Sequence, residues 1–210
     1  MPGRFADVGG CAAGYLIGSV PIGVLMGRAL RGLDVREHGS HSMGTTNVLR
    51  LVGPSAAAAT FALDVGKGTA AVAVARRLGA DTAGQAAAGL AAIVGHNWPV
   101  FAHFRGGKGV ATGFGALLMS APAASPYAIG AGLAALGATR IVSVASLTAC
   151  AGAVVGGVVE ELRRRDRAAL AFTGLAATLI AVRHGGNLRR LMRGEEPRVS
   201  LRRRGAPAAP

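Results

Sequence analysis

Seven apolar stretches follow one another along the chain, and short polar connections separate them. They cover residues 8–30, 53–75, 84–102, 110–122, 126–138, 141–159 and 168–182. Their lengths compare with the ~20 residues that a helix needs to cross about 30 Å of hydrocarbon. The pattern therefore predicts an all-α integral membrane protein, folded as a compact bundle of about seven transmembrane helices.

The fourth and fifth stretches are shorter than a full span. They are either compact spans or a re-entrant pair around Pro122 and Pro126, because prolines mark tight turns. Both interpretations leave an odd number of crossings. The first stretch contains Pro21 and has arginines on its far side, so we interpret it as an uncleaved first helix and not as a signal peptide.

The basic residues indicate the orientation of the bundle in the membrane. With the N-terminus outside, the inner connections carry fifteen Lys and Arg residues and the outer connections carry seven. Because inner connections are typically the more positive ones, the sequence predicts an outer N-terminus and a cytoplasmic C-terminus. The basic run at 163–167 lies outside in this arrangement and argues against it.

The composition excludes several other classes of protein. The chain of 210 residues is 51% hydrophobic and 16% charged, against roughly 25% charged residues in an ordinary soluble domain. The apolar, glycine-rich tracts lack the charge and polar bulk that disordered chains and coiled coils need. We expect a single membrane domain over 1–200 and a disordered, basic, Pro/Ala-rich tail at 201–210.

The net charge of +13 fits nucleic acid, anionic lipid or a phosphorylated substrate as a partner. The arginines lie in short gaps between apolar stretches, and no segment is large enough to form a nucleic-acid groove. A membrane surface or a small anion is therefore favoured over nucleic acid. Cys11 and Cys150 lie in apolar stretches without CxxC spacing, so neither a disulfide nor a metal site is indicated.

Four polar segments are candidates for chemistry, and all four fall on the predicted cytoplasmic side. The first runs from Gly39 to Arg50 and combines hydroxyls, an amide and a guanidinium beside glycines. Such a loop can wrap an anion. The alternative is an ordinary Ser/Thr/Asn turn that caps the next helix.

The second segment runs from Gly95-His96 to Gly106-Gly107-Lys108-Gly109 and Thr112, where an apolar helix begins. Glycines let backbone N–H groups approach a phosphate, the helix N-terminus adds a partial positive charge, and Lys108 adds a full one. The segment matches neither GxxxxGK[ST] nor GxGxxG, so nucleotide binding is unsupported.

The third segment, 139–146, places Arg140 at a helix mouth, followed by Ser143 and Ser146. Serines in membrane helices usually bond to the backbone or to a neighbouring helix, which is the alternative to a binding role. The fourth segment follows the last apolar stretch: it runs from Arg183 to Arg190, with His184 and Asn187 among arginines, and continues with Gly194-Glu195-Glu196-Pro197. Arginines there are typical inside anchors, but anchoring does not require the histidine or the amide.

Other kinds of site find less support. The histidines come without CxxC or HExxH, so we expect no metal site and no cofactor. There is no GxSxG and no acid placed for a Ser-His-Asp triad. Asp64 and Lys67, three residues apart in an apolar stretch, are typical of an ion pair that faces the bundle, with support of the site as a second interpretation.

These segments, in this order, resemble the acyl-phosphate-dependent glycerol-3-phosphate acyltransferases of the bacterial inner membrane. The resemblance extends from about Leu16 to Glu196. The first motif departs from the family's usual Ser-Gly-Asn-x-Gly, because His41 and Ser42 replace the glycine and the asparagine.

The resemblance implies a seven-helix bundle that transfers a fatty acyl group from acyl phosphate to the sn-1 hydroxyl of glycerol 3-phosphate, with lysophosphatidic acid and phosphate as products. We expect membrane lipids as the surroundings and His184, Lys108, Ser40 and Asn47 as catalytic residues. The predicted phosphate-binding residues are Ser40, Thr46, Asn47, Arg50, His96, Gly106, Gly107, Lys108, Gly109, Thr112, Ser143, His184 and Asn187.

Substrate chemistry suggests how such an enzyme works. An acyl phosphate is a mixed anhydride, so the protein needs to hold two anions close together rather than form an acyl-enzyme. Either His184 or a phosphate oxygen of the donor can take the hydroxyl proton, and we favour the phosphate oxygen. The rival from another class is a membrane anion transporter or channel, whose pathway the same basic loops would line.

Overall fold

The computed structural model describes residues 2–199, which form helices and loops without a β-strand. The predicted tail at 201–210 lies outside this range. The α-helices are α1 Pro2–Gly18, α2 Ile22–Arg31, α3 Thr45–Leu51, α4 Pro54–Arg77, α5 Thr82–Asn97, α6 Val110–Ser120, α7 Ser125–Thr139, α8 Val142–Arg164, α9 Arg167–Arg183 and α10 Gly185–Met192.

Three units within the described range are long and apolar enough to cross a membrane alone: Arg4–Arg31, α4 and α8. The bent pair of α9 and α10 gives a fourth if it counts as one span. The first unit is interrupted between α1 and α2, where Pro21 has no N–H to donate. The Lys67 ammonium donates to the carbonyl oxygen of Val20 at this break, at 3.0 Å.

Small residues let the helices approach closely, as expected in lipid. A Cβ added to Gly14 would collide with the carbonyl of Ala88, and one added to Gly18 would collide with the carbonyl of Ala92. Gly95 of α5 likewise lies against the backbone of Tyr15. These contacts lock α5, whose C-terminal end carries His96, against α1.

The two short stretches form α6 and α7, joined by a 3-10 turn at Pro122–Ala124. At 1.5 Å per residue, the 11 residues of α6 rise about 16 Å, or about half of the hydrocarbon core. Ala116 and Leu117 of α6 are buried in the main core, together with Phe172 and Ile180 of α9. The first residues of α6, Val110 and Ala111, line the cavity described next, and so does Val142, the first residue of α8. The start of α6 and the end of α7 therefore lie at the same end of the bundle.

Candidate active site

The four polar segments meet around one cavity of about 250 Å³ at one end of the bundle. The fourth segment contributes both from α10 and from the residues after it, Glu196 and Pro197. The polar lining side chains are Ser40, Ser42, Thr45, Thr46, Asn47, Arg50, Asp64, His96, Lys108, Ser143, Ser146, His184, Asn187, Arg190 and Glu196.

The first loop is organised around the Asn47 amide, which is 1% exposed. Its Nδ2 donates to the carbonyls of Val35, His38 and Ser42, and its Oδ1 accepts from the backbone N–H of Ser40 at 3.0 Å. Asn47 therefore uses its hydrogen-bonding capacity inside the loop. Its structural effect is to hold Ser40 at the cavity wall.

The two departures from the family motif are compatible with this loop. His41 has φ of 53°, a left-handed conformation that glycine adopts freely and that histidine tolerates better than bulkier residues. Its Nδ1 lies 3.1 Å from the carbonyl oxygen of Arg36. The Ser42 hydroxyl accepts from the N–H of Gly44 at 3.3 Å, a bond across two residues that an asparagine side chain also makes.

Arg36 ties the first loop to the second. Its guanidinium donates to the carbonyl of Ala102 at 2.7 Å and pairs with Asp34 at 2.7 Å. The hydrogen bonds from Arg36 hold the pKa of the Asp34 carboxyl far below its usual range, although burial opposes the shift. No local sequence pattern predicts the bond from Arg36 to Ala102, because the two residues are 66 positions apart.

The glycine loop before α6 is fixed by backbone contacts. The N–H of Gly107 donates to the carbonyl of His96 at 3.0 Å, and Arg183 Nε donates to the carbonyl of Gly107 at 3.0 Å. The Arg183 guanidinium carbon lies over the Trp98 ring, 5.4 Å from the ring centroid. These contacts set the position of Lys108, the next residue.

Lys108 extends an ammonium into the cavity. Burial lowers the pKa of Lys108 to about 8; Glu196 opposes this shift, whereas Arg190, Arg50 and Arg183 add to it. A bound phosphate would raise the pKa again, because an anion favours the charged form of the ammonium. The site therefore holds a lysine whose charge responds to an anionic ligand.

A charged cluster lies beneath the glycine loop. Asp64 and Lys67 form the ion pair expected from their spacing, at 2.9 Å. His96 lies 3.6 Å from the same Asp64 oxygen, and its Nδ1 is 3.2 Å from the Thr112 hydroxyl. All four side chains are at most 7% exposed. The cluster couples α4, α5 and α6 at the cavity wall, which Asp64 and His96 line.

His184 lies where α9 and α10 meet at 63°. Its Nδ1 is 2.8 Å from the carbonyl oxygen of Ile180, so Nδ1 carries a hydrogen. In the neutral ring, Nε2 is then the acceptor. The bend also brings Asn187 of α10 to the cavity wall.

Glu196 is the main residue that the sequence reasoning did not assign. Its carboxylate accepts from Ser143 at 2.8 Å, from the Asn187 amide, and from Arg190 Nε at 2.7 Å. Burial raises the pKa of Glu196, but these three hydrogen bonds outweigh it and keep the pKa below the usual value. The available signal was an acid next to a proline in a basic C-terminal segment.

The predicted site residues divide into two groups. Those that line the cavity are Ser40, Thr46, Asn47, Arg50, His96, Lys108, Gly109, Ser143, His184 and Asn187. Gly106, Gly107 and Thr112 are buried behind the cavity wall instead and pack on the His96 backbone or ring; Gly106 also lies against Asn97 and Pro99.

The balance of charge in the cavity favours an anionic ligand. Arg50, Lys108 and Arg190 face it, and Glu196 neutralises only part of their charge. The first residues of α6 and α8 also line the wall, and helix N-termini attract anions. Within residues 2–199, no three His, Cys, Asp or Glu side chains come close enough together to hold a metal ion.

An apolar groove of about 380 Å³ opens from this cavity along α6, α7, α8 and α9. Phe61, Val110, Ala111, Val142 and Ser146 line both spaces. Apart from Ser146 and Thr173, the groove is lined by glycine, cysteine and hydrophobic residues. A ligand with an anionic head and an apolar tail fits across the junction.

An anion cavity joined to an apolar groove inside a helical membrane bundle defines a membrane enzyme or binding protein for anionic lipids. The sequence model of the glycerol-3-phosphate acyltransferase family matches residues 8–194. The chain therefore belongs to the glycerol-3-phosphate acyltransferase family, and specifically to its PlsY type of membrane enzymes. Membership favours the enzyme over an anion transporter.

Individual relatives agree with this assignment. The chain is 43% identical to a glycerol-3-phosphate acyltransferase of a Synechococcus species, over 90% of this chain and 92% of that one. It is 47% identical to one from Gloeobacter violaceus, over 94% and 95%.

A solved structure also matches. The crystal structure of PlsY, an integral membrane glycerol 3-phosphate acyltransferase, in its glycerol 3-phosphate form is 32% identical, with a TM-score of 0.83. The match covers 92% of this chain and 96% of that chain. The lysophosphatidic acid form of PlsY matches with a TM-score of 0.81 and 31% identity.

Proposed function

We propose that the protein transfers a fatty acyl group from acyl phosphate to the sn-1 hydroxyl of glycerol 3-phosphate. The hydroxyl oxygen attacks the carbonyl carbon, the bond from that carbon to the phosphate oxygen breaks, and phosphate leaves with the electron pair. The hydroxyl proton ends on phosphate. The products are lysophosphatidic acid and inorganic phosphate, as in the first step of phospholipid synthesis.

The junction of the polar cavity with the apolar groove carries this proposal. Val142 and Ser146 of α8 line both spaces, so the reacting carbonyl would lie near them with its phosphate among the cations and its alkyl chain in the groove. An acyl donor without a long alkyl chain would not need such a groove. Glycerol 3-phosphate would take the remaining polar part of the cavity.

The cations and the hydroxyls of the cavity would contribute differently to the binding of two anions. Arg50, Lys108 and Arg190 supply charge, while Ser40 and Thr46 supply hydroxyl donors. The amide of Gly109 lies at the same wall. Because the reaction needs two phosphates held together, loss of one cation should reduce both binding and turnover.

Other predicted residues act on the position of these groups. Asn47 holds Ser40, the cluster of His96 and Thr112 holds the glycine loop, and Ser143 holds Glu196. Asn187 gives one N–H to Glu196 and retains a second for a phosphate oxygen. Gly106 and Gly107 permit the close packing of the loop on His96.

His184 has two possible roles that one variant separates. The unprotonated Nε2 of the neutral ring is able to take the hydroxyl proton, and a phosphate oxygen of the donor is able to do the same. We favour the phosphate oxygen as base and a binding role for His184. His184→Gln would then raise KM and keep the pH dependence of kcat; abolished turnover with retained binding would contradict this choice.

The proposal includes a location in the cell. Seven membrane crossings, an outer N-terminus and a cytoplasmic C-terminus would put the cavity on the cytoplasmic side of a bacterial inner membrane. The excess of basic residues on the cavity side supports this orientation. Labelling of single cysteines introduced at the exposed positions of Arg31 and Arg164 in intact cells tests it, because only the second should react with an impermeant reagent.

Turnover by the purified protein tests the activity. In detergent or lipid cubic phase, palmitoyl phosphate plus glycerol 3-phosphate should give phosphate and lysophosphatidic acid in equal amounts. Lys108→Ala should lower kcat/KM about 100-fold or more, whereas Arg105→Ala, a change at an exposed residue of the same loop, should leave most activity. Absence of product from folded protein with several chain lengths would contradict the proposal.

A further inference from the structure

Three alanines lie in a row on the groove side of α8. Ala145, Ala149 and Ala153 are four residues apart, so they share one face of the helix. Each step moves about 6 Å along the helix and away from Ser143. All three line the apolar groove.

The groove has a defined length. From Val142 to Ala153 the helix rises about 16 Å, or about half of the ~30 Å hydrocarbon core. Half of the core is the depth of one leaflet, and one acyl chain of a membrane lipid extends over that depth. The groove therefore matches the length of an ordinary membrane acyl chain.

The groove ends at a fixed wall. Phe172 of α9 is 1% exposed and Leu117 of α6 is 5% exposed at its far end. One turn beyond Ala153, a Cβ on Gly156 would lie 2.6 Å from the Cα of Ala124. The helices are in backbone contact there, so no space continues past Ala153.

We propose that Ala145, Ala149 and Ala153 act as a ruler on α8 that sets the longest acyl chain the enzyme accepts. This inference rests on the proposed acyl transfer. The chain comes from lipid, which is as apolar as the groove, so burial discriminates little between lengths. The length of the groove therefore sets the limit on the acyl chain, because a chain too long for the groove displaces its own carbonyl from the cavity.

Displacement of the carbonyl is costly, because misplacement by about 1 Å is enough to lower a rate about 100-fold. A leucine in place of any of the three alanines would fill the groove at that depth. The accepted chain should therefore become shorter in a definite order. Ala153→Leu should exclude only the longest chains, Ala149→Leu shorter ones, and Ala145→Leu shorter ones still.

The experiment measures kcat/KM with decanoyl, lauroyl, myristoyl, palmitoyl and stearoyl phosphates at saturating glycerol 3-phosphate. For Ala149→Leu we expect the ratio of palmitoyl to decanoyl activity to fall about tenfold or more relative to the unsubstituted protein. Val155→Leu is the matched control, since Val155 lies on the same helix but is 54% exposed. Its chain-length profile should not change.

A variant with more space in the groove is a control for misfolding of the leucine variants, because it should accept longer chains. Phe172→Leu removes ring volume from the wall and should raise activity with stearoyl phosphate relative to palmitoyl phosphate. Equal loss of activity at every chain length, or a profile without the predicted order, would overturn the ruler. No turnover of any acyl phosphate by the unsubstituted protein would instead overturn the proposed function.

Discussion

The hydroxyl of Ser143 donates a 2.8 Å hydrogen bond to the carboxylate of Glu196, although the two residues are 53 positions apart. This bond joins the N-terminal turn of α8 to the segment after α10. Asn187 and Arg190 donate to the same carboxylate. A single acid thus fixes three groups of the cavity wall and balances part of the charge of Lys108.

Substitution of Glu196 should lower the stability of the folded protein. We expect Glu196→Gln to lower the free energy of unfolding by about 1–3 kcal/mol, because hydrogen bonds to a charged acceptor are lost. Thermal unfolding in detergent measures this change. The neighbouring Glu195→Gln is the matched control, since Glu195 is exposed, and equal destabilisation by both substitutions would contradict the assigned role of Glu196.

Activity should depend on pH through Lys108. Its pKa of about 8 means that the ammonium loses its charge as the pH rises past that value. The kcat/KM for glycerol 3-phosphate should therefore fall above about pH 8. The second pKa of a phosphate lies near 6, so the substrate does not titrate in this range.

Two variants identify the group responsible for this fall. Lys108→Arg keeps the charge to a much higher pH and should remove the alkaline fall, even if overall activity is reduced. Glu196→Gln should move the fall to lower pH, because Glu196 raises the pKa of Lys108. An alkaline fall that stays at the same pH in Lys108→Arg would exclude Lys108 as its source.

The fold and the site could be predicted from the sequence to different extents. The seven apolar stretches each contain helix, because span length and hydropathy are local properties. The four polar segments, chosen for their residue types, all contribute to one cavity. In contrast, the roles of Asn47 and Glu196 depend on partners from other parts of the fold or from the loop geometry, and no spacing rule reveals such partners.

Gly39 should tolerate substitution poorly. Its φ is +63°, and a Cβ there would collide with Asn47 Oδ1. Gly39→Ala should therefore disturb the loop and lower kcat/KM about tenfold or more, by displacing Ser40 from the cavity wall. Gly32→Ala is the control, because Gly32 also has a positive φ but open space around it; equal losses would point to backbone strain alone.

The buried pair of Asp64 and Lys67 should behave as a unit. Removing one partner leaves a buried charge unpaired, so we expect Lys67→Met to destabilise the protein by about 3–5 kcal/mol. The double variant Asp64→Asn, Lys67→Met should be more stable than Lys67→Met alone. Thermal unfolding of the unsubstituted protein, both single variants and the double variant checks this order, and additive destabilisation would show that the pair is not coupled.

Direct transfer between two bound substrates is the central claim, and rapid mixing of the enzyme with palmitoyl phosphate tests it most directly. Without glycerol 3-phosphate, we predict no rapid release of phosphate, since no side chain of the cavity takes the acyl group. Addition of glycerol 3-phosphate should start release at the rate of lysophosphatidic acid formation. A burst of phosphate equal to the amount of enzyme, before any glycerol 3-phosphate is added, would reveal an acyl-enzyme and contradict the account.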